Sequence, residues 1–141
     1  MNKKFHLTIV TPDNIYFEGE VEELMVTTEN GPVGILANRL SIITAVVPSV
    51  TTYYDDGNKK VLFTSSGVFK FRDNKAVLMV EACESKEEID KNRAEKALER
   101  SKNRLKEHSD KVNVARAKMA MARAIGRLNL VDKYWYKKNQ T

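Results

Sequence analysis

At 141 residues the chain holds one ordinary domain, or a small domain with an appendage. Its net charge of +5 conceals an asymmetry: residues 1–84 carry eight Lys/Arg against eleven Asp/Glu, a net −3, whereas residues 85–141 carry sixteen against eight, a net +8. No apolar run reaches the about 18 residues that a membrane-spanning helix needs, and the lone cysteine, Cys83, excludes an internal disulfide framework and fits a reducing compartment.

The opening segment, MNKKFHLTIVTPDN, has too short an apolar stretch for a signal peptide, so a cytoplasmic chain is expected. Phe5 to Val10 reads as a strand that runs into the turn residues Thr11-Pro12-Asp13-Asn14. Ile15-Tyr16-Phe17 and Val21 to Thr28 follow as further strands. Asn30-Gly31 and Asp56-Gly57 are hairpin dipeptides, and Arg72-Asp73-Asn74-Lys75 is another turn. Ser49 to Tyr54, Lys60 to Ser65, Val68 to Arg72 and Ala76 to Ala82 are β-branched or aromatic runs of strand length. Many short strands at this spacing predict an antiparallel β-sandwich or closed barrel over residues 1–84.

All three prolines and five of the six glycines lie in that part, and beyond it the only aromatics are Tyr134, Trp135 and Tyr136. From Ser85 the periodicity changes. Ser85-Lys86-Glu87-Glu88 has the spacing of a capping box, predicting a helix from there to about Glu107 with Ala94, Ala97, Leu98, Ser101 and Leu105 on one face. His108-Ser109-Asp110 is the expected turn, and a second helix carries Ala117, Met121, Ala124, Leu128 and Val131. Residues 85–141 should therefore form an antiparallel two-helix hairpin. Its seam is mostly alanine, and leucine in those places would bury more methylenes at ~0.8 kcal/mol each, so the hairpin is weakly closed.

Arg93, Arg100 and Arg104 sit at i, i+7 and i+11, and Arg116, Arg123 and Arg127 repeat the spacing. At about 100° per residue each trio falls within about 40° of arc, one guanidinium row per helix. A solvated face is the ordinary use of such a row. The alternative is recognition of carboxylate or phosphate, to which the planar guanidinium donates two parallel hydrogen bonds. Asp90, three residues before Arg93, can brace that side chain or pair with a base or sugar hydroxyl. Nothing else suggests chemistry. Gly31-Pro32-Val33-Gly34 lacks the Lys-Ser/Thr ending of a phosphate loop, and neither His6 nor His108 has a partner at metal-ligand spacing. No catalytic residue and no metal ligand is expected.

Val10-Thr11-Pro12-Asp13, Gly31-Pro32-Val33-Gly34-Ile35-Leu36, Ser66-Gly67-Val68-Phe69, Ile89-Asp90-Lys91-Asn92-Arg93-Ala94 and Ala122-Arg123-Ala124-Ile125-Gly126-Arg127-Leu128 occur in this order over almost the whole chain. Together they resemble the epsilon-subunit family of bacterial F-type ATP synthases. That resemblance implies a non-catalytic rotor subunit. The β domain would clamp the gamma subunit and sit on the membrane-embedded ring of c subunits, with Pro32, Asn38 and Arg39 on the ring-facing edge. Here the chain departs from the family pattern: Ala37-Asn38-Arg39-Leu40-Ser41-Ile42 replaces Pro-Gly-His-x-Pro-Leu, with Arg39 where histidine is typical.

The hairpin, by the same resemblance, folds against the β domain or extends along gamma. When extended, Arg116, Arg123 and Arg127 meet the catalytic alpha and beta subunits and oppose ATP hydrolysis. In some relatives the folded hairpin binds ATP as a regulatory ligand rather than a required cofactor. Ile89, Asp90, Arg93 and Ala94 match that motif, Arg123 and Arg127 match its second-helix arginines, and Glu84 and Arg100 are further contributors. The expected location is the cytoplasmic face of the bacterial cell membrane, reached only through the ring. A free-standing ATP sensor using the same residues is the alternative. Nucleic acid is not an expected partner, because the basic half lacks interleaved aromatics and any nucleic-acid motif.

Overall fold

Phe5, Leu7 and Ile9 alternate with His6, Thr8 and Val10, and the same period of two recurs in other strands of the chain, such as Gly67–Arg72. The computed structural model describes residues 3–107 and 111–131. It contains the strands β1 (Phe5–Val10), β2 (Ile15–Val21), β3 (Glu23–Thr28), β4 (Gly31–Leu36), β5 (Ile42–Val46), β6 (Ser49–Asp55), β7 (Asn58–Thr64), β8 (Gly67–Arg72), β9 (Lys75–Val80) and β10 (Cys83–Glu84). Two helices follow, α1 (Lys91–Glu107) and α2 (Lys111–Val131). The expected turn at His108-Ser109-Asp110 and the aromatic trio Tyr134-Trp135-Tyr136 lie outside the described residues.

The strands form two five-stranded sheets, ordered β2-β1-β9-β8-β5 and β10-β7-β6-β3-β4. All neighbours are antiparallel except β1 and β9, which run parallel with Leu7 opposite Ala76. The inner faces meet in one apolar core that includes Phe5, Leu7, Leu24, Ile35, Phe69, Phe71 and Leu78. Phe5 and Phe71 stack edge to face at 5.5 Å. Positive φ at Asp56 and Gly57, and again at Asp73 and Asn74, gives both hairpins the turn twist that suits adjacent strands.

The sequence expectation does not include β4 or β10 as strands, and three further differences have a visible physical cause. Val21 to Thr28 is two strands rather than one, because the chain changes sheets at Glu22. There the backbone N–H donates to Tyr54 O at 3.0 Å, and the carboxylate accepts the Gly57 N–H at 3.0 Å. β5 carries no turn signal of its own and was not anticipated. It is set by the preceding bend, where Asn38 has φ 65° and its N–H donates to Asn74 Oδ1 at 2.7 Å. The helix expected from Ser85 begins at Lys91 instead. Ser85 and Glu88 bond to each other, but they close only a 3-10 turn over Lys86–Glu88, after which Ile89 is extended. Asp90 then starts the true helix, its carboxylate accepting the Arg93 N–H at 3.1 Å.

α2 packs on β6 and β7, and α1 rests mainly on α2. β7 explains the contact: its Val61-Leu62-Phe63-Thr64 end has no polar alternation, because Leu62 faces the sandwich core and Phe63 lies under α2. Gly126 makes the approach possible, since a Cβ there would stand 2.8 Å from Phe63 Cε1.

Candidate functional site

The seam between the hairpin and the end of the sandwich encloses a cleft of about 480 Å³, within the size range of small-ligand sites. Glu84 enters it from β10, and Glu88, Ile89 and Asp90 from the segment leading into α1. Arg93, Ala94, Arg100 and Arg104 line it from α1, and Ala120, Arg123 and Arg127 from α2. All eight residues expected to contact ATP from the resemblance are therefore in one cleft. Arg116 is not among its walls; it stands exposed on α2.

Helical spacing puts the arginines there. Arg93, Arg100 and Arg104 share a stripe beside the buried Ala94 and Ser101, which press against α2 and aim that stripe along the seam. Ser101 keeps its hydroxyl satisfied by donating to Ala97 O at 2.8 Å, so the seam carries a polar side chain without an unpaired buried group.

Five guanidiniums face three carboxylates, and each carboxylate is already engaged. Glu84 accepts from Arg127 twice, at 2.8 and 3.2 Å, a forked geometry that also leaves Arg127 Cζ 4.6 Å from the Phe63 ring centroid. Glu88 accepts the Ser85 hydroxyl at 2.9 Å and the Tyr16 hydroxyl at 3.0 Å. The Ser85 contact, followed by Tyr16, holds its carboxyl below the usual value, while burial and then Glu88 push Tyr16 up to about 12. Asp90 caps α1 rather than bracing the Arg93 guanidinium. Among the described residues Arg93, Arg100, Arg104 and Arg123 enter no ion pair. The cleft thus presents four guanidinium forks with no ion pair among the described residues, an arrangement suited to holding an anion.

Glu88, Ala97, Ser101, Arg104 and Ala120 complete the walls without having been assigned to a ligand from the sequence. Arg104 was visible in the arginine row and Glu88 in the capping spacing, but Ala120 carries no local signal. Cys83 is buried and its thiol is pushed up to about 12, mainly by burial, so it is not a nucleophile. No group of metal-ligating side chains occurs among the described residues.

The structure does not bring Pro32, Asn38 and Arg39 to one spot: Pro32 lies at the start of β4 opposite Thr27, whereas Asn38 and Arg39 follow its other end, about 13 Å or more farther along, in the β4–β5 connection. Pro32 and Asn38 are exposed, whereas Arg39 is half-buried and donates to Leu40 O at 3.1 Å. The same connection carries apolar residues that the sequence did not single out: Leu36 is 59% exposed and Leu40 86%. No described helix is long and apolar enough to cross a membrane.

Comparison with known proteins points to one family. The family model described as ATP synthase, Delta/Epsilon chain, beta-sandwich domain matches residues 4–86. That described as ATP synthase, Delta/Epsilon chain, long alpha-helix domain matches residues 87–132. The ATP synthase epsilon chain of Clostridium novyi is 42% identical over 132 residues, covering 93% of this chain and all of the relative. That of Caldanaerobacter subterraneus is 36% identical over 135 residues, covering 95% and 98%. A chain in the Euglena gracilis mitochondrial ATP synthase (OSCP/F1/c-ring) superposes with a TM-score of 0.77 at 21% identity, covering 89% of this chain and 79% of that one. One in the central stalk/c-ring of the Tetrahymena thermophila mitochondrial enzyme gives 0.64 at 14%, covering 92% and 98%. At those identities the two structures show a shared fold.

Proposed function

Because the chain belongs to the ATP synthase delta/epsilon chain family, we propose that it is a non-catalytic central-stalk subunit whose helical hairpin is a nucleotide-responsive brake on ATP hydrolysis. The observation that carries this reading is the arginine cleft at the hairpin base. Its walls come from the sandwich side, from α1 and, through Ala120, Arg123 and Arg127, from α2, so it exists only while the hairpin is folded.

A ligand that needs both halves binds the folded state and not the open one, which shifts the balance by its differential affinity. ATP suits the cleft through its phosphate charge and the free arginine forks. Without ATP, the alanine seam and the single docked helix leave the hairpin free to open. Arg116, Arg123 and Arg127 are then available to acidic surfaces of the alpha and beta subunits. The sandwich holds to gamma and the ring, with Pro32, Asn38 and Arg39 toward the ring, and it supplies docking surface on the outer face of its first sheet. Ile15, Val68 and Met79 are 58%, 38% and 48% exposed there. Such a subunit sits at the cytoplasmic face of the bacterial membrane through its partners.

Isothermal titration of the full chain with ATP tests the brake. Saturable heat is expected, and Arg100→Ala, which removes an exposed guanidinium with no ion-pair partner among the described residues, should weaken it about tenfold or more. No binding at millimolar ATP would overturn the nucleotide role. Capture of the chain at native level should bring gamma, alpha and beta subunits with it. Recovery of the chain alone would favour a free-standing ATP-binding module built on the same cleft.

A further inference from the structure

A sandwich of two open sheets has four edge strands, here β2, β5, β10 and β4. An edge presents unpaired backbone groups, and proteins ordinarily guard it with charge, proline, glycine irregularity or short length. Three of the four are guarded. β2 carries Glu18, Gly19 and Glu20, and Tyr16 ties it to Glu88. β4 contains Pro32 between two glycines, and β10 is two residues long. β5 is Ile42-Ile43-Thr44-Ala45-Val46, with no charge, no proline and no glycine.

The direction of its free backbone groups is fixed by the next residue. β5 pairs with β8 on one side, and Val47 N–H points the other way, donating to Thr27 O at 3.0 Å. The two-residue period of a strand therefore turns the N–H and C=O of Ala45 and Ile43 to that same open side. The Thr44 hydroxyl, bonded to Ala45 O at 3.2 Å, is consistent with that carbonyl facing away from β8. Ile43 is 70% exposed, and register places it and Ala45 on the outer face beside Lys70 and Val68.

We propose that the open edge of β5 receives an extended strand from a neighbouring subunit of the complex, paired through Ile43 and Ala45, with aliphatic side chains laid over Ile43 and Val68. The exposed apolar surface argues for a different subunit over a second copy. It runs from Ile43 across Val68 to Met79, and a partner that covers edge and face together buries it, whereas pairing of two β5 edges leaves the face open. This inference rests on the reading that the first sheet docks in the stalk.

The test compares the full chain, free and reassembled with ATP synthase from which it has been removed. Amide exchange at Ile43 and Ala45 should slow at least about tenfold on assembly. Ala45→Pro removes an outward N–H without touching the β8 ladder, and should raise the dissociation constant about tenfold, the effect of one lost hydrogen bond with its neighbour disturbed. Met79→Glu reports on the face alone. If Met79→Glu weakens assembly while Ala45→Pro and the two amides are unaffected, the added strand is overturned and the docked face stands. If neither variant weakens assembly, the docking reading itself is wrong. Should Ala45→Pro fail to fold, the exchange rates decide. Sedimentation of the free chain as a dimer with slow Ile43 and Ala45 exchange would make a second copy the occupant and overturn the proposal.

Discussion

Arg127 is held from two directions, by the Glu84 carboxylate in the plane of its fork and by the Phe63 ring against its face. Lysine in its place keeps the charge and loses both geometries, so Arg127→Lys should cost the docked hairpin about 1–2 kcal/mol. Native-state hydrogen exchange of α2 amides measures that cost. On the outer face of the first sheet His6 lies between two carboxylates, Nε2 at 3.2 Å from Glu18 and Nδ1 at 3.1 Å from Glu20. Hydrogen bonding to Glu18, then to Glu20, raises its pKa above the ordinary 6.5. A folded-state value above the unfolded one means that the stabilisation is complete below 6.5 and is lost as pH rises through the raised value. The ring is 37% exposed, so the effect is small and screened by salt. An NMR titration should give a His6 midpoint above 6.5 that falls toward it in Glu18→Gln/Glu20→Gln. Glu88 has the opposite sign. Its lowered carboxyl contributes above the ordinary 4.5, and that contribution disappears as pH falls through the folded value.

Between elements, the decisive contact is Gly126 on Phe63. Alanine at position 126 gains helix propensity of about 1 kcal/mol. Its Cβ would also stand 2.8 Å from Cε1 and 3.0 Å from Cδ1 of a fully buried ring, and such overpacking costs about 1–3 kcal/mol. The clash wins, so Gly126→Ala should loosen α2 from β7 while raising the helicity of the released hairpin. Circular dichroism together with α2 hydrogen exchange separates the two effects. This contact shows where the sequence stops being legible. The strands with clean alternation, such as β1 and β8, can be read directly, because each has one buried face. The end of β7 reads only as an apolar run, since what covers Phe63 comes from a helix far along the chain. The start of α1 was misplaced for a local reason: two capping signals, at Ser85 and Asp90, follow one another, and the extended Ile89 decides between them.

In the whole molecule, a sandwich with one apolar core carries a hairpin that packs on it chiefly through α2. The arginines of the cleft were legible, because helical periodicity alone sets which of them share a face. Their convergence with Glu84 and Glu88 depends on how α2 lies on the second sheet, and no spacing within the chain encodes that directly. The proposed function requires a coupling between ligand and posture, because a ligand filling the cleft would touch α1, α2 and β10 together. Amide hydrogen exchange across α1 and α2, with and without ATP, tests this most directly. With ATP about tenfold above its dissociation constant, the hairpin amides that exchange by undocking should slow about tenfold, an increment of about 1.4 kcal/mol, and Arg100→Ala should cut the slowing to about twofold or less. Unchanged hairpin exchange at an ATP concentration that saturates the chain would contradict the coupling.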